Sequence, residues 1–500
     1  MGSAEISTQE ASKSTPSVSP LDVQSVPHTD VLVDDSTLST PRVYKRRWLG
    51  LVAIIILNVV AGMPLVWFGP IADSTANEFR FTLDQVNWLG NCINLTYLPC
   101  AVAVPMLYTR LGLRRTCFIG GLLLIVAAWV RYAGTTHPLS VSGAYSLVII
   151  GQIISGVVQP IFQVLAPGYS EKWFDLRQRT TATMLMAVAN PIGSALGQLI
   201  SPLVGTPRDS ILVLAIISTA VTPLIFLVND APPAPPTLAA AQESPSFWSF
   251  VRAMAGREPQ NLSTYMTLRQ RTDFVVLAFV FGVLVASITT FSILSSQDLE
   301  PYDYSDEIAG LMGATLLLVG LLATVITAPL FDRILTHHLA WTCKCLCPII
   351  GGAWISLIWA VRRNDTGGLF AIMAIVGASS LTLLPVALEL AVELTRNANA
   401  SCAMLWASSN TCGVVFVLSQ GALRASANAD PPYNMYRAII FQGAVATAAA
   451  IVIFFMEGKQ VRRSADEQAQ AQIATMGTHE MDMPKSTEIR DNVSLSVGPT

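Results

Sequence analysis

The sequence predicts an all-α membrane protein with twelve transmembrane helices in two pseudo-symmetric six-helix bundles. Three observations carry that prediction. Twelve long apolar runs fill the chain, a polar and proline-rich stretch divides them six and six, and charge sits in the gaps between them. With 52% hydrophobic and 13% charged residues over 500 positions, the composition is one that a soluble multidomain protein does not easily keep in solution.

Residues 1–41 are rich in Ser, Thr, Pro and Asp and lack a helical apolar period, as a disordered cytoplasmic tail does. They contain no apolar core of the kind a cleavable signal peptide needs. The first six runs are Leu49 to Asp73, Val86 to Tyr108, Cys117 to Ala133, Gly143 to Ala166, Thr181 to Val204 and Ser210 to Val228. Most reach the roughly 20 residues that cross about 30 Å of hydrocarbon. In the first run Gly62, Pro64 and Pro70 interrupt or kink the helix beside Trp67 and Phe68. Trp67 has two readings, a ring facing a cation and an outer-leaflet anchor.

Three runs carry polar stripes stepping by three, four or seven, each on one helix face. They are Asn87, Asn91 and Asn94; Gln152, Gln159 and Gln163; and Asn190, Ser194, Gln198 and Ser201. A polar side chain at bilayer depth costs free energy unless it meets a partner or lines a cavity. Interhelical bonding, under about 1 kcal/mol per contact, is one reading; a solute site is the other. Depth separates them: Asn94, Gln159, Asn190 and Ser194 fall near the midplane, whereas Asn87 and Gln198 lie toward the outside.

Residues 229–271 form the long central connection, opening with APPAPP and continuing through FWSFVRAMAGR, a pattern suited to lying on the inner membrane face. It separates bundles at 42–228 and 272–457, and 458–500 reads as a second disordered cytoplasmic tail whose Arg462 and Arg463 meet anionic headgroups. The second six runs are Phe274 to Leu294, Ile308 to Leu330, Cys345 to Val361, Gly368 to Leu394, Ser401 to Leu423 and Ala438 to Met456. Small polar groups recur in them at Ser287, Thr289, Thr290, Ser379, Ser380 and Asn410. Glu389 and Glu393 stand one turn apart near the cytoplasmic end of the tenth run. They read as a gate pairing with Arg333 or Arg396, or as proton-coupling groups. No histidine falls in a helix core, so a proton relay is poorly supplied.

About twenty membrane-proximal basic residues lie in the inner segments against about seven outside, Arg131 among the latter. The outer loop between the seventh and eighth runs is acidic, with Asp298, Glu300, Asp303, Asp306 and Glu307. Both termini are therefore expected in the cytoplasm, with the protein in the plasma membrane or a vacuolar membrane. The net charge of -3 by itself says nothing about nucleic acid, and no nucleic-acid partner is expected. Eight cysteines fall in or beside helices, so no structural disulfide is expected. The Cys343, Cys345, Cys347 alternation lacks CxxC spacing and reads as packing, a metal site or a lipidated position. Without HExxH, GxSxG or paired central carboxylates the chain is not expected to be an enzyme, nor to hold a cofactor.

Two corresponding loops, LYTRLGLRR after the second run and APLFDRIL after the eighth, resemble the cytoplasmic loop motif of the major facilitator superfamily. There a glycine permits the turn, and Asp and Arg hold one gating state. Arg110 and Arg114 occupy the first copy, where Thr109 stands in place of the motif's Asp, and Asp332 and Arg333 the second. Four further segments resemble solute carrier family 49, the feline leukaemia virus subgroup C receptor-related branch, and look closest to its least characterised member. They are KRRWLGLVAIIILN with WFGPIAD, QVNWLGNCINLTYLP, LLPVALELAVELT and YSEKWFDLRQRTTATMLMAVANPIG, within a similarity over about residues 43–457.

The resemblance implies alternating-access transport by a monomer in the lipid bilayer. For the branch's choline transporters it implies a quaternary-ammonium cage of a Trp, a Gln, a Tyr and a second Gln, at positions that here are Leu65, Pro191, Thr289 and Asn410. The expected solute site is Trp67, Asn94, Gln159, Asn190, Ser194, Thr289 and Asn410, and the expected gate is Arg110, Arg114, Asp332, Arg333, Glu389 and Glu393. A cavity without deep charge suits a neutral, zwitterionic or weakly cationic organic solute moving downhill. Proton coupling through Glu389 or Glu393, and a transporter-shaped receptor signalling through its tails, are the alternatives.

Overall fold

In a computed structural model of the protein, the described residues are 44–458, apart from 137, 175, 234–244, 263 and 334–337. Both expected tails, including Arg462 and Arg463, lie outside them. Every regular element among the described residues is a helix, and eleven helices are long and apolar enough to cross a membrane.

The first helix, α1 (Arg47–Val66), runs through Pro64 and stops short of the apolar run's end; a turn over residues 67–71 leads to the short α2 (Ala72–Phe79). A capping box of Thr82 and Gln85 starts α3 (Leu83–Ala133), which holds 51 residues but breaks at Gly112, where φ is 82° and ψ 173°. A left-handed φ of this kind favours glycine. Gly156 of the next helix, α4 (Val141–Trp173), packs on Ile93 and Thr96, and its Gly151 packs on Ala127 and Arg131. Five residues along α4 span about 7.5 Å, whereas residues 93 and 127 of a straight helix would lie about 50 Å apart. The chain therefore folds back at Gly112. Asp230 fixes the reversal, its carboxylate accepting the Arg114 backbone N–H at 2.8 Å. The first set continues with α5 (Leu176–Ala187), α6 (Ala189–Leu203) and α7 (Pro207–Val221).

Beyond α8 (Phe247–Met254) the second set comprises α9 (Leu268–Leu299), α10 (Asp306–Arg333), α11 (Leu339–Ala360), α12 (Thr366–Thr395), α13 (Ala398–Leu423) and α14 (Tyr436–Val452). Helix α9 corrects the sequence reading at its end. The apolar run stops at Leu294 and Asp298 was expected in an outer loop, yet the helix continues to Leu299 with Ser295, Ser296, Gln297 and Asp298 all buried. Hydropathy falls there because the helix meets polar protein partners, not water. Arg131 is a second correction. Counted among outer charges, it is buried, with Nη2 donating to the Ser155 hydroxyl.

One buried cluster joins Leu51, Leu57, Leu113, Phe162 and Tyr169 within the first set, another joins Phe274, Leu316, Trp354, Met373 and Leu390 of the second and reaches Tyr97, Ala101 and Ala195 of the first, and a small one bridges the sets through Leu65, Ile93, Ile293 and Val417. Large apolar side chains also face outward, among them Leu122, Ile326, Trp341, Trp359 and Phe455, each more than 60% exposed, a surface that lipid covers without cost. The eight cysteines are free thiols.

The described chain begins and ends at one face of the array, here the tail face. Tyr169 donates to the Arg47 carbonyl at 2.7 Å, Trp173 donates to the Asn229 carbonyl, and Arg269 donates to the Phe455 carbonyl. Helix α8 lies there against α3 and α13, burying Phe250 and Ala253 and exposing Trp248 and Val251. Glu258 ties it down: Oε1 accepts from the Ser249 and Thr264 hydroxyls, and Oε2 accepts from Arg252 Nε at 2.9 Å. The Ser249 bond first, then that of Arg252, hold the Glu258 carboxyl below the usual carboxylate range. The ionised form thus stabilises the segment above the ordinary carboxylate pKa of about 4.3, and this is lost as pH falls through the lowered value. Glu258→Ala is expected to speed amide hydrogen exchange across residues 247–266 by about fivefold or more, equivalent to ~1 kcal/mol. The wild-type segment should loosen in the same way in acid alone.

Candidate functional site

A cavity lies between the two helix sets, and no charged side chain among the described residues lines it. Asn94 of α3, Gln159 of α4 and Asn190 and Ser194 of α6 come from the first set, Thr289 of α9 and Asn410 of α13 from the second. The structure thus gathers six of the seven expected solute-site residues on one wall system.

The polar wall is a relay of amides. Gln159 Nε2 donates to Asn190 Oδ1 at 3.2 Å, Asn190 Nδ2 donates to Asn58 Oδ1 at 3.5 Å, and Asn58 Nδ2 donates to the Met186 carbonyl at 3.1 Å. Close approach of α1 and α6 makes this possible, since a side chain at Gly193 would collide with the Val59 carbonyl. Three buried groups of the lining keep no hydrogen-bond partner among the described residues: Asn94 Nδ2, Gln159 Oε1 and the Ser380 hydroxyl. Each unmet group costs about 1–3 kcal/mol. The cavity therefore offers a donor, an acceptor and a hydroxyl to a polar solute.

The opposite wall is aromatic. Phe281 and Trp406 meet edge to face, with ring centroids 5.6 Å apart and planes at 88°. Asn410 Nδ2 donates to the Trp406 carbonyl at 2.7 Å, and the Thr289 hydroxyl is back-bonded to its own helix. All four positions that the family resemblance aligns with a choline cage, Leu65, Pro191, Thr289 and Asn410, line this cavity.

Trp67 does not. It is fully buried in the first set, and its indole N–H donates to the Ser210 hydroxyl at 3.0 Å, so it serves neither as a cavity wall nor as a lipid anchor. Of the expected gate, Arg110 and Arg114 are exposed on the tail face, with the Arg114 guanidinium 5.8 Å from the Phe118 ring. Glu389 is half-buried, and Glu393 is buried and partnered. The side chains of Asp332 and Arg333 lie outside the described residues.

The far end is sealed between the sets. Arg424 donates to Asp84 at 3.0 Å and to Gln297 at 2.9 Å, and Gln297 exchanges amide bonds with Asn87. Beside them the Ser74 hydroxyl donates to Asp306 at 2.7 Å and the Ser296 hydroxyl to Asp73 at 2.7 Å. Burial pushes the Asp73 carboxyl up, against the Ser296 bond that lowers it. The backbones of α9 and the turn after α1 touch, because Gly69 has no side chain to meet the Ser292 carbonyl.

Residues 54–419 match the Major Facilitator Superfamily. The chain belongs to the major facilitator superfamily. Among similar proteins, solute carrier family 49 member A3 of Xenopus tropicalis is 26% identical over 462 residues, 88% of this chain and 93% of that protein. The choline/ethanolamine transporter FLVCR2 of Homo sapiens is 24% identical, covering 82% of this chain and 78% of its own length. The choline/ethanolamine transporter FLVCR1 of Mus terricolor is 23% identical, with coverage of 81% and 74%. In this facilitator the sequence reading missed Asn58, Phe281 and Trp406. Two of them carried a signal: Asn58 stands one turn before Gly62, and Trp406 one turn before Asn410 on the same face.

Cys92 lies buried beneath the far-face seam, in the cluster of Leu65, Ile93 and Ile293. Arg424→Ala removes two bonds that cross the seam. A membrane-impermeant maleimide is expected to modify Cys92 about tenfold faster in that variant, equivalent to ~1.4 kcal/mol for a charge-assisted bond, as read by peptide mass mapping. Unchanged labelling would show that Arg424 does not hold the seam.

Proposed function

We propose that this chain is an alternating-access carrier, not an enzyme, for a small organic solute that is neutral, zwitterionic or weakly cationic. Twelve crossings in two six-helix bundles, with both termini cytoplasmic, frame the mechanism. The fold-back at Gly112, which makes two passes of α3, and the common tail face support that frame. So does the sequence similarity to solute carrier family 49, whose membership we infer for this chain.

One observation carries the reading: a largely apolar cavity with an amide wall and no charged side chain among the described residues, shared by both helix sets and closed at its far end. Solute sites of such carriers lie between the halves near the midplane, and the halves rock around them. The amide wall of Gln159, Asn190 and Asn94 selects for hydrogen-bonding groups, and the rings of Phe281 and Trp406 present π faces that favour an amine. Relatives named as choline/ethanolamine transporters make those amines the first solutes to test. With Leu65 and Pro191 where the resemblance expects Trp and Gln, the ammonium would rest on α9 and α13 instead. Among the described residues the lining holds no carboxylate, and downhill movement is the simplest mode for such a cavity.

Uptake of radiolabelled choline or ethanolamine into proteoliposomes holding the full chain is expected to saturate. Asn190→Ala and Asn410→Ala should each lower initial uptake about tenfold, the order expected when a hydrogen-bonding group of a buried site is lost, at unchanged surface expression. Trp406→Ala should weaken choline more than a neutral solute. Full activity in all three variants would dismiss the cavity, and absence of uptake for a broad solute panel would favour a receptor.

A further inference from the structure

We propose that Asn58, buried behind the wall of the central cavity, fixes the hydrogen-bonding polarity of that wall, so that Gln159 meets the solute as an acceptor and the cavity selects solutes that bring an O–H or N–H to it. The inference rests on the central cavity as the solute site and narrows the solute class that it takes. Asn58 does not itself line the cavity, so it acts through its neighbours, as a positioning residue.

A side-chain amide keeps nearly the same shape when its oxygen and nitrogen trade places, so packing alone does not orient it. Hydrogen bonds do. The relay behind the cavity starts at the Met186 carbonyl, in the last turn of α5, where a helix leaves carbonyls open to side-chain donors. A carbonyl only accepts. Asn58, 1% exposed on α1, therefore turns Nδ2 to it at 3.1 Å and keeps Oδ1 for the next residue. That oxygen takes Asn190 Nδ2 at 3.5 Å, which leaves Asn190 Oδ1 to accept Gln159 Nε2 at 3.2 Å. Gly62 makes room for the Asn190 amide against α1, since a side chain there would strike it. The last atom in line is Gln159 Oε1, buried and without a partner among the described residues. Reversing one amide would set two oxygens against each other at a link of the relay, and reversing all three would set Asn58 Oδ1 against the Met186 carbonyl.

The other unmet groups of the lining have no such anchor. With Nδ2 unpartnered, the Asn94 amide is free to present either end, and the Ser380 hydroxyl donates or accepts by rotation. Gln159 Oε1 is held to one role. A solute that offers it an ether or carboxylate oxygen places two acceptors face to face, whereas one with an O–H or N–H closes the relay. Across the cavity the rings of Phe281 and Trp406 give π faces to the other, cationic end. The class that fits is an amino alcohol or a protonated amine. Ethers, and carboxylates whose only other end is a quaternary ammonium, lack the donor and are turned away, by at least about tenfold for a buried site that leaves an acceptor unmet.

The test measures equilibrium binding to the purified full-length protein with two pairs of probes: choline and its O-methyl ether, and the uncharged isostere 3,3-dimethylbutan-1-ol and its methyl ether. In each pair the alcohol is expected to bind about tenfold tighter or more. Asn58→Leu cuts the relay at its root and lets Asn190 and Gln159 turn together, so Gln159 Nε2 can meet the ether oxygen. The penalty on the ether should then shrink to within about twofold while the alcohol still binds. Asn58→Asp should keep the penalty, because a carboxylic acid there donates to the Met186 carbonyl and accepts from Asn190 in the original sense. Ether and alcohol binding alike in wild type would overturn the proposal, and that comparison stands whether or not the variants fold. An unchanged penalty in Asn58→Leu, or an equal loss of alcohol and ether binding as from a merely structural role, would also overturn it, as would absence of binding by every probe. Binding with the preference but no saturable uptake would dismiss the carrier and leave the proposal standing; uptake without the preference would do the reverse.

Discussion

Everything in this architecture leans on the contact between the far half of α9 and the first helix set. The central cavity becomes a compartment because that contact closes one end of it. The seam combines steric fit, hydrogen bonds and an ion pair: Ser292 against Gly69, Gln297 against Asn87, and Arg424 spanning Asp84 and Gln297. Hydrogen bonds between amides and hydroxyls contribute about 1 kcal/mol each in net terms. A seam of that kind is firm enough to exclude water and weak enough to be traded for another set of contacts.

The same logic organises the interior. Gln152 donates to the Pro64 and Leu89 carbonyls, which joins α1, α3 and α4 firmly. Asn94 and Gln159, two helical turns away in depth, leave bonds unmade where the cavity opens. Buried amide atoms without a partner among the described residues also occur away from the compartment, at Asn91, Gln163 and the Gln152 Oε1. The cage positions implied by the family resemblance keep their location while their chemistry changes, and the aromatic surface passes to Phe281 and Trp406.

Much of this was legible in the sequence. Apolar runs gave the spans because hydropathy is a local property, and Gly112 marked the reversal because a left-handed turn favours glycine. Counting helical depth put Asn94, Gln159, Asn190 and Ser194 at one level, which is where the structure gathers them. What local pattern cannot encode is the identity of a distant neighbour. Asp298 looked like a loop residue and Arg131 like a surface charge because each is polar, and their burial depends on α11, α14 and α4 folding over them. Trp67 looked available for the opposite reason, since nothing nearby in sequence announces its bond to Ser210, 143 positions away.

Ser292 has a place in two structures at once. Its residue lines the cavity, and its carbonyl is the point on which Gly69 rests. The floor of the chamber and the latch of its door are therefore one turn of helix, with no intervening linkage to absorb displacement. A guest bulky enough to push on that turn works directly against the bolt, so the breadth of cargo and the ease of unlocking are set by the same few ångströms of backbone.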